Sequence, residues 1–208
     1  MNEEFETLKK GMEQERFRQI YEAAVGKAEE ITREEVKNLE QENNREIVSS
    51  ITGRVKTPES VRRKLLKKGY ACDLETAVLQ LHDIAGMRAT CFFLDDVYAL
   101  AELLKRNKGL HFIKEKNYIA KPKSSGYKSL HLIVEVPVEV ESTEQWIQVE
   151  IQIRTLAMDF WARLDHRLCY KKELKAARAV QKDLREYAEI ISRVDVHMLA
   201  LRKKIDAL

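Results

Sequence analysis

Proline and glycine are scarce: the 208 residues include 3 prolines and 7 glycines, too few for long linkers or disordered tracts, so order is expected nearly throughout. Cys72, Cys91 and Cys169 are odd in number, widely spaced and without a C-x-x-C pair. That leaves no readable disulfide framework or cysteine-built zinc site, and it points to a reducing cytoplasm. No apolar run approaches transmembrane length, and the N-terminus opens on Asn2, Glu3, Glu4 and Glu6 rather than on a basic segment followed by an apolar one. Neither export nor membrane insertion is therefore expected. Net charge is nearly absent at +3, which neither demands nucleic acid nor excludes it. The phosphate-cradling pattern G-x-x-x-x-G-K-[ST] is missing as well, so phosphates are not held as in P-loop enzymes.

What the chain does have is helical periodicity. A hydrophobic content of 44% beside 34% charged residues fits a soluble domain rich in amphipathic helix, and the length suits one compact domain with some extra helix. From Phe5 to about Leu39, apolar residues recur at helical spacing through Leu8, Met12, Phe17, Ile20, Ala24, Ala28 and Ile31; this predicts one long helix or two abutting ones. Ile47 to Lys56 reads as a short strand. Thr57-Pro58-Glu59 then starts a helix, with Thr at the N-cap and Pro in the first turn, and Ser60 and Lys64 fall on one face. Met87 to Phe93 reads as a strand, followed by a helix capped by Asp95-Asp96 that carries Val97, Leu100, Leu103 and Leu104 and ends near Gly109.

Leu110 to Ile119 and Leu130 to Val138 alternate as strands around a basic loop, Gln145 to Arg154 is the clearest strand, and Thr155 to Tyr170 returns to helical spacing. Val180, Leu184, Tyr187, Ile191, Val194, Met198, Leu201, Ile205 and Leu208 follow a heptad seam, which suits packing on the same domain and contact with another subunit equally. The expected architecture is α+β, a mixed five-stranded β-sheet flanked by helices with long N- and C-terminal helices.

Chemistry-bearing residues gather on these elements. In the 145–154 strand Ile147, Val149, Ile151 and Ile153 point one way and Trp146, Gln148, Glu150, Gln152 and Arg154 the other, because strand side chains alternate faces. Such a polar row is ordinarily solvated surface. Here Trp146, Phe160 and Trp161 supply enough apolar bulk to enclose it, and an enclosed carboxylate needs a metal or a cation. Asp83, five residues before Arg88, reads by itself as a cap or turn residue. Paired with Glu150 it could hold magnesium, which takes one or two carboxylates plus substrate phosphate oxygens. His82-Asp83 does not extend to a metal-dependent phosphohydrolase centre, since His111, His131, His166 and His197 show no ligand spacing.

The loop from Lys121 to His131 joins cations, small hydroxyl residues, Gly126 and Tyr127. Cations neutralise phosphate, Ser and Gly let backbone N–H groups approach it, and a tyrosine ring offers a face to a purine; an exposed basic turn fits the same pattern. Arg54 and Lys56 share one strand face. An arginine plane can stack on adenine and a lysine is a point charge for phosphate, although a solvated basic strand looks alike. Cations crowd into 54–68 and 114–128, which would form a polyphosphate surface if the fold brought them together.

From about Gly53 to Lys171 the ordered segments G-R-V-K-T-P-E-S, D-I-A-G-M-R, K-P-K-S-S-G-Y-K-S-L-H and V-E-I-Q-I-R-T-L-A-M-D-F-W-A resemble the synthetase domain of the RelA/SpoT family. The likeness is greater to its single-domain members, the small alarmone synthetases; the flanking helices match only in kind. The resemblance implies a nucleotidyltransferase-like synthetase fold in one domain over 1–208, with N-terminal helices over 1–45, a catalytic core over 46–171 and a C-terminal helix over 172–208. It implies magnesium-dependent transfer of pyrophosphate from ATP to the 3′-hydroxyl of GTP or GDP, with AMP leaving, in the cytoplasm and without hydrolase activity.

By the same resemblance, Arg54 and Arg88 match arginines that sandwich adenine, and Lys56, Ser60 and Lys64 match polyphosphate contacts. Asp83 matches the magnesium ligand, and Glu150 the second carboxylate, which contacts the metal and draws the proton from the attacking hydroxyl. Tyr127 matches the ring that stacks on guanine. Ser125, His131, Gln152 and Arg154 belong to the same motifs on the acceptor side, with Lys121 and Lys123 as phosphate contacts. Asp159 is placed to select guanine, whose N1–H and 2-amino group are adjacent donors where adenine presents an acceptor. The resemblance also suggests a homotetramer through the terminal helices and a regulatory nucleotide or RNA as a further partner. Two departures bear on acceptor preference: Lys128 stands where Arg is frequent, and Leu168-Cys169-Tyr170-Lys171 lacks a basic residue before Tyr-Lys.

Two other functions compete. A nucleotidyltransferase acting on RNA would want a larger basic track than a chain of net charge +3 offers. A silent nucleotide- or RNA-binding module would be expected to lack Asp83 or Glu150, and both are present.

Overall fold

The computed structural model describes residues 2–169 and 178–208. The N-terminal periodicity resolves into two helices, α1 (Asn2–Glu13) and α2 (Glu15–Asn43), separated where Gln14 takes the non-helical angles φ −58, ψ 134. Helix α2 turns Ala24, Val25, Ala28, Ile31, Val36 and Leu39 inward and lies across four of the five strands. Then follow β1 (Val48–Val55), α3 (Pro58–Lys68), α4 (Leu74–Gln80), β2 (Ala85–Cys91), α5 (Leu94–Arg106), β3 (His111–Asn117), β4 (Leu130–Val140), β5 (Thr143–Thr155), α6 (Leu156–Cys169) and α7 (Arg178–Ile205). Tyr170 and Lys171, and the expected boundary at 171/172, lie outside the described residues.

The strands form one sheet in the order β1-β2-β5-β4-β3. Only β2 and β5 run parallel; the other neighbours are antiparallel. This is the mixed five-stranded α+β sheet the patterning predicts. One face is core, where Met87, Ala89, Leu132, Val134, Val149, Ile151 and Ile153 are buried with the inner faces of α2 and α5, an arrangement that removes apolar area from water along the whole sheet. The other face carries the polar row. Gly53 is needed where α2 crosses β1, because a side chain there would lie 2.2 Å from Val25 Cγ1 and 2.7 Å from Glu29 Oε1.

Local signals explain the helix ends. Thr57 caps α3 by accepting from the Ser60 backbone N–H, with Pro58 in the first turn and Gly69 at φ +72 closing the helix. Asp95 and Asp96 are not the cap of α5. The N-cap is Phe93, and both aspartates sit in the first turn, where their charge suits the helix N-terminus. Asp96 is buried and accepts two hydrogen bonds from the Arg45 guanidinium, at 2.6 and 2.9 Å. Helix α4, capped by Asp73 through the Thr76 N–H, is too short for periodicity to reveal.

The heptad seam of α7 splits. Leu184 and Ala188 are buried against Trp161, with Val180 and Ile191 partly so, whereas Tyr187, Val194, Met198, Leu201 and Ile205 are exposed. Among the described residues no helix is long and apolar enough to cross a membrane.

Candidate active site

Strand register assembles the site. Thr52, Arg88, Gln152, His131 and Lys116 are successive partners across β1, β2, β5, β4 and β3. Beside that row runs another: Arg54, Gly86, Glu150, Ile133 and Lys114. Residues distant in sequence thus stand side by side on the face opposite the core. With glycine at 86, nothing projects between Arg54 and Glu150, and a cavity of ≈ 210 Å³ opens there, lined by Arg54, Lys56, Asp83, Arg88, Glu150 and Gln152 among others. A wider cavity of ≈ 820 Å³ adjoins it, shares Arg54, Arg88 and Gln152, and adds Tyr127, Arg154, Arg163, His166 and Arg167. Two adjoining basins with shared arginines suit two nucleotides meeting at one point.

Asp83 lies in the turn before β2. Its Oδ2 is bound by Lys56 and by Lys64, the latter at 2.6 Å, while Oδ1 is buried with no hydrogen-bond partner among the described residues. Burial opposes ionisation, but the two ammonium groups outweigh it and hold the carboxyl below its ordinary value. Glu150, also buried, accepts from Gln152 Nε2 at 2.8 Å and lies 3.3 Å from His131 Nδ1 and 3.9 Å from Lys116 Nζ. Burial would raise this carboxyl, yet His131, Gln152 and Lys116 together bring it down to about 2. Both groups are therefore anions at neutral pH. The unpartnered Asp83 oxygen and the Glu150 carboxylate in one cavity are a donor set that fits magnesium, which retains waters and takes substrate oxygens beside one or two carboxylates. Among the described residues no cluster of three or more His, Cys, Asp or Glu forms a closed metal site.

His131 is held neutral: burial lowers its pKa more than Glu150 raises it. Its Nε2 lies 3.0 Å from the Tyr127 hydroxyl, which also accepts from Arg154 at 3.2 Å. Neutral His131 thus donates from Nδ1 to Glu150 and accepts at Nε2 from Tyr127, the tautomer this network requires. Arg154 is buried and also donates to Gln152 Oε1 at 2.5 Å. Asp159 is buried and ion-paired to Arg88 at 3.3 Å, to Arg154 at 3.5 Å and to Arg163. It lines neither cavity, and its charge joins an arginine of the first basin to those of the second.

Other expected residues are placed more loosely. The Lys123 ammonium sits 4.5 Å above the Tyr118 ring and 4.7 Å above Tyr127. Ser60 accepts from the Thr57 hydroxyl, and Lys121 is exposed; neither these two nor Ser125 lines the two cavities. The expected enclosure by Trp146, Phe160 and Trp161 is wrong. Trp146 stacks on His111 at 3.4 Å, Phe160 is exposed, and Trp161 packs under α7; the polar face is walled by its own cations, His131 and Tyr127.

Arg163, His166 and Arg167 are additions that sequence reasoning missed. Their signal was the spacing of three and four residues from Asp159 and Arg163 along α6, which puts them on one helix face. The fold brings the two basic runs together, since the charges of Lys64, Lys67 and Lys116 all act on Lys123.

A family model described as "Region found in RelA / SpoT proteins" matches residues 53–175. The chain is 43% identical over 155 residues to the GTP pyrophosphokinase YwaC of Bacillus subtilis, covering 74% of this chain and 73% of that one. It is 38% identical over 167 residues to the GTP pyrophosphokinase YjbM of the same organism, covering 80% and 77%. The crystal structure of small alarmone synthetase 1 from Bacillus subtilis bound to its product pppGpp matches with a TM-score of 0.84 at 35% identity, over 93% of this chain and 98% of that one. The chain belongs to the RelA/SpoT family, as a GTP pyrophosphokinase of the small alarmone synthetase type.

Proposed function

We propose that this protein makes (p)ppGpp by moving pyrophosphate from ATP to the 3′-hydroxyl of GTP or GDP, with magnesium held by Asp83 and Glu150. The observation that carries the proposal is the pair of ionised carboxylates lining one cation-rimmed cavity, with one buried Asp83 oxygen left without a protein partner. The ≈ 210 Å³ cavity takes the reacting phosphates of ATP, and Arg54 and Arg88 hold adenine between their planes. Lys56 and Lys64, now paired with Asp83, turn to the polyphosphate, with Ser60 beside them on α3.

The larger basin takes the acceptor. Tyr127 stacks on guanine, and Arg154, Arg163 and Arg167 neutralise its 5′-phosphates, with Lys121, Lys123 and Ser125 on the loop above. Asp159 holds the arginines around the acceptor, and its carboxylate meets the guanine edge, as the motif match implies, once Arg163 gives up Oδ2. Magnesium held by Asp83 and Glu150 would supply charge neutralisation at the transferring phosphates. The chain's own residues align the 3′-oxygen with the β-phosphorus; the new bond forms as the bond to AMP breaks, and the hydroxyl proton passes to Glu150. A carboxylate held below its ordinary value is a weak base, and the hydroxyl becomes acidic enough to give up its proton as bonding to phosphorus forms. His131 and Gln152 hold Glu150 in line.

The exposed apolar residues of α7, Tyr187 to Ile205, support self-association as a homotetramer through the terminal helices, and the site chemistry suits the nucleotide pools of a cytoplasm. A regulatory nucleotide or RNA would act on that assembly. Purified protein given ATP, GDP or GTP and magnesium should yield AMP and a new guanosine nucleotide on anion-exchange chromatography; ADP as the adenine product would refute the proposal. Sedimentation of the chain with and without residues after 170 tests the assembly.

A further inference from the structure

We propose that one face of α7 is the mould of the acceptor loop: Arg185, Ala188 and Ser192 set the conformation of residues 123–128 and thereby the affinity for the acceptor nucleotide. The inference rests on the assignment of that loop, through Tyr127, to the acceptor.

The three residues follow one another at spacings of three and four, a single stripe of the helix, and each meets the loop at a different point. Arg185 donates from its guanidinium to the Ser124 carbonyl at 2.9 and 3.3 Å. Lys128 donates to Ser192 Oγ at 2.8 Å and lies 3.4 Å from Glu189. Between them Gly126, at φ +90, is pressed so closely on the helix that a side chain would lie 2.6 Å from Ala188 Cβ and 3.2 Å from Arg185 Cα. Positive φ and absent space both demand glycine. Tyr127 itself leans on the Trp161, Leu184 and Ala188 cluster.

The helix does not depend on the loop for its own position. Trp161 Nε1 donates to the Leu184 carbonyl at 3.2 Å, Thr155 donates to buried Asp195 at 2.6 Å, and Arg202 pairs with Asp95 at 2.7 Å. A helix anchored to β5, α5 and α6 thus holds a loop whose internal bonds are few: Gly126 N–H to the Lys123 carbonyl and Lys123 N–H to the Tyr127 carbonyl. Lys128 is held by this contact and lines neither basin. None of the three α7 residues lines either nucleotide basin, so they act as positioning residues.

The test compares Arg185→Ala, Ala188→Leu and Tyr127→Ala in the full chain by steady-state kinetics in both substrates and by amide hydrogen exchange. Ala188→Leu should raise the acceptor KM about tenfold and Arg185→Ala about threefold, with the ATP KM within about twofold of wild type, as expected when a binding loop is misplaced while the donor site stays intact. Exchange should quicken over residues 123–127 and not over β5. Should Ala188→Leu fail to fold, Arg185→Ala carries the test, because Arg185 is exposed and outside the core. An acceptor KM that stays put in the α7 variants while Tyr127→Ala raises it overturns the mould; a Tyr127→Ala enzyme with wild-type acceptor KM overturns the acceptor assignment beneath it.

Discussion

The Lys64 ammonium stands 2.6 Å from Oδ2 of Asp83, and Lys56 binds the same oxygen. Among the described residues, the cationic contacts of this carboxylate are thereby on one side, and Oδ1 is buried and unpaired. A buried unsatisfied carboxylate oxygen is costly, and its persistence beside a phosphate-sized cavity marks it for a ligand. Asp83→Asn should cut turnover by about 10³-fold or more, since it removes the charge of the proposed magnesium ligand and sets two lysines free. Magnesium titration of activity is the check. Wild type should saturate and the variant should not; near-normal turnover in the variant would contradict the role.

Glu150 gives a pH signature. Its carboxyl falls from an ordinary 4.5 to about 2 in the fold, so the stability it contributes is complete above 4.5 and is lost as pH falls toward about 2. The depressed His131 and Asp83 act in the same direction, each favouring its deprotonated form in the fold. In chelator, wild type should melt higher than Glu150→Gln at pH 7, and the gap should narrow by pH 3. A gap that widens in acid would mean that Glu150 is not held as an anion. The same variant should be almost without turnover at pH 7 yet keep ATP binding by calorimetry.

Gly86 separates Arg54 from Glu150 along one sheet row, and a Cβ there would touch only the Glu150 carbonyl at an ordinary 3.8 Å. Gly86→Leu should therefore fold with a melting temperature within a few degrees of wild type while its side chain fills the ≈ 210 Å³ cavity. ATP affinity should fall by at least about tenfold in titration calorimetry. Unchanged ATP binding would move the donor phosphates elsewhere.

Most of the frame was legible because period dictates it. The alternation through Ile147, Val149, Ile151 and Ile153 gave β5 and its polar face, and Thr57-Pro58 gave the start of α3. What stayed hidden was set by pairing between distant segments. No local pattern says that β2 runs parallel to β5 and so places Arg88 beside Gln152, or that Asp96 meets Arg45 rather than capping α5. The aromatic residues mislead for the same reason: bulk near Glu150 in sequence is not bulk near it in space, and Trp161 belongs to the α7 interface. Asp83, Glu150, Tyr127, Arg54, Arg88 and Arg154 line two adjoining cavities, while Ser60, Lys64, Lys121, Lys123, Ser125, His131 and Asp159 line neither.

Asp159 carries the clearest test of communication between the basins. Its carboxylate pairs with Arg88, which lines both cavities, and with Arg154 and Arg163, which line the wider one. Asp159→Asn removes that shared anion and should raise the KM for both nucleotides by roughly 5- to 50-fold, the scale of a lost buried charge pair of about 1–2 kcal/mol or more. Initial-rate kinetics in both substrates decide it. An ATP KM that does not move would reduce Asp159 to acceptor recognition alone.

In the proposed reaction pyrophosphate moves as one unit. With ATP labelled at the β-phosphorus, the label should appear in the 3′-pyrophosphorylated guanosine nucleotide, while label at the α-phosphorus stays in AMP. β-Label recovered in ADP or inorganic phosphate, with the guanosine nucleotide unlabelled, would contradict it.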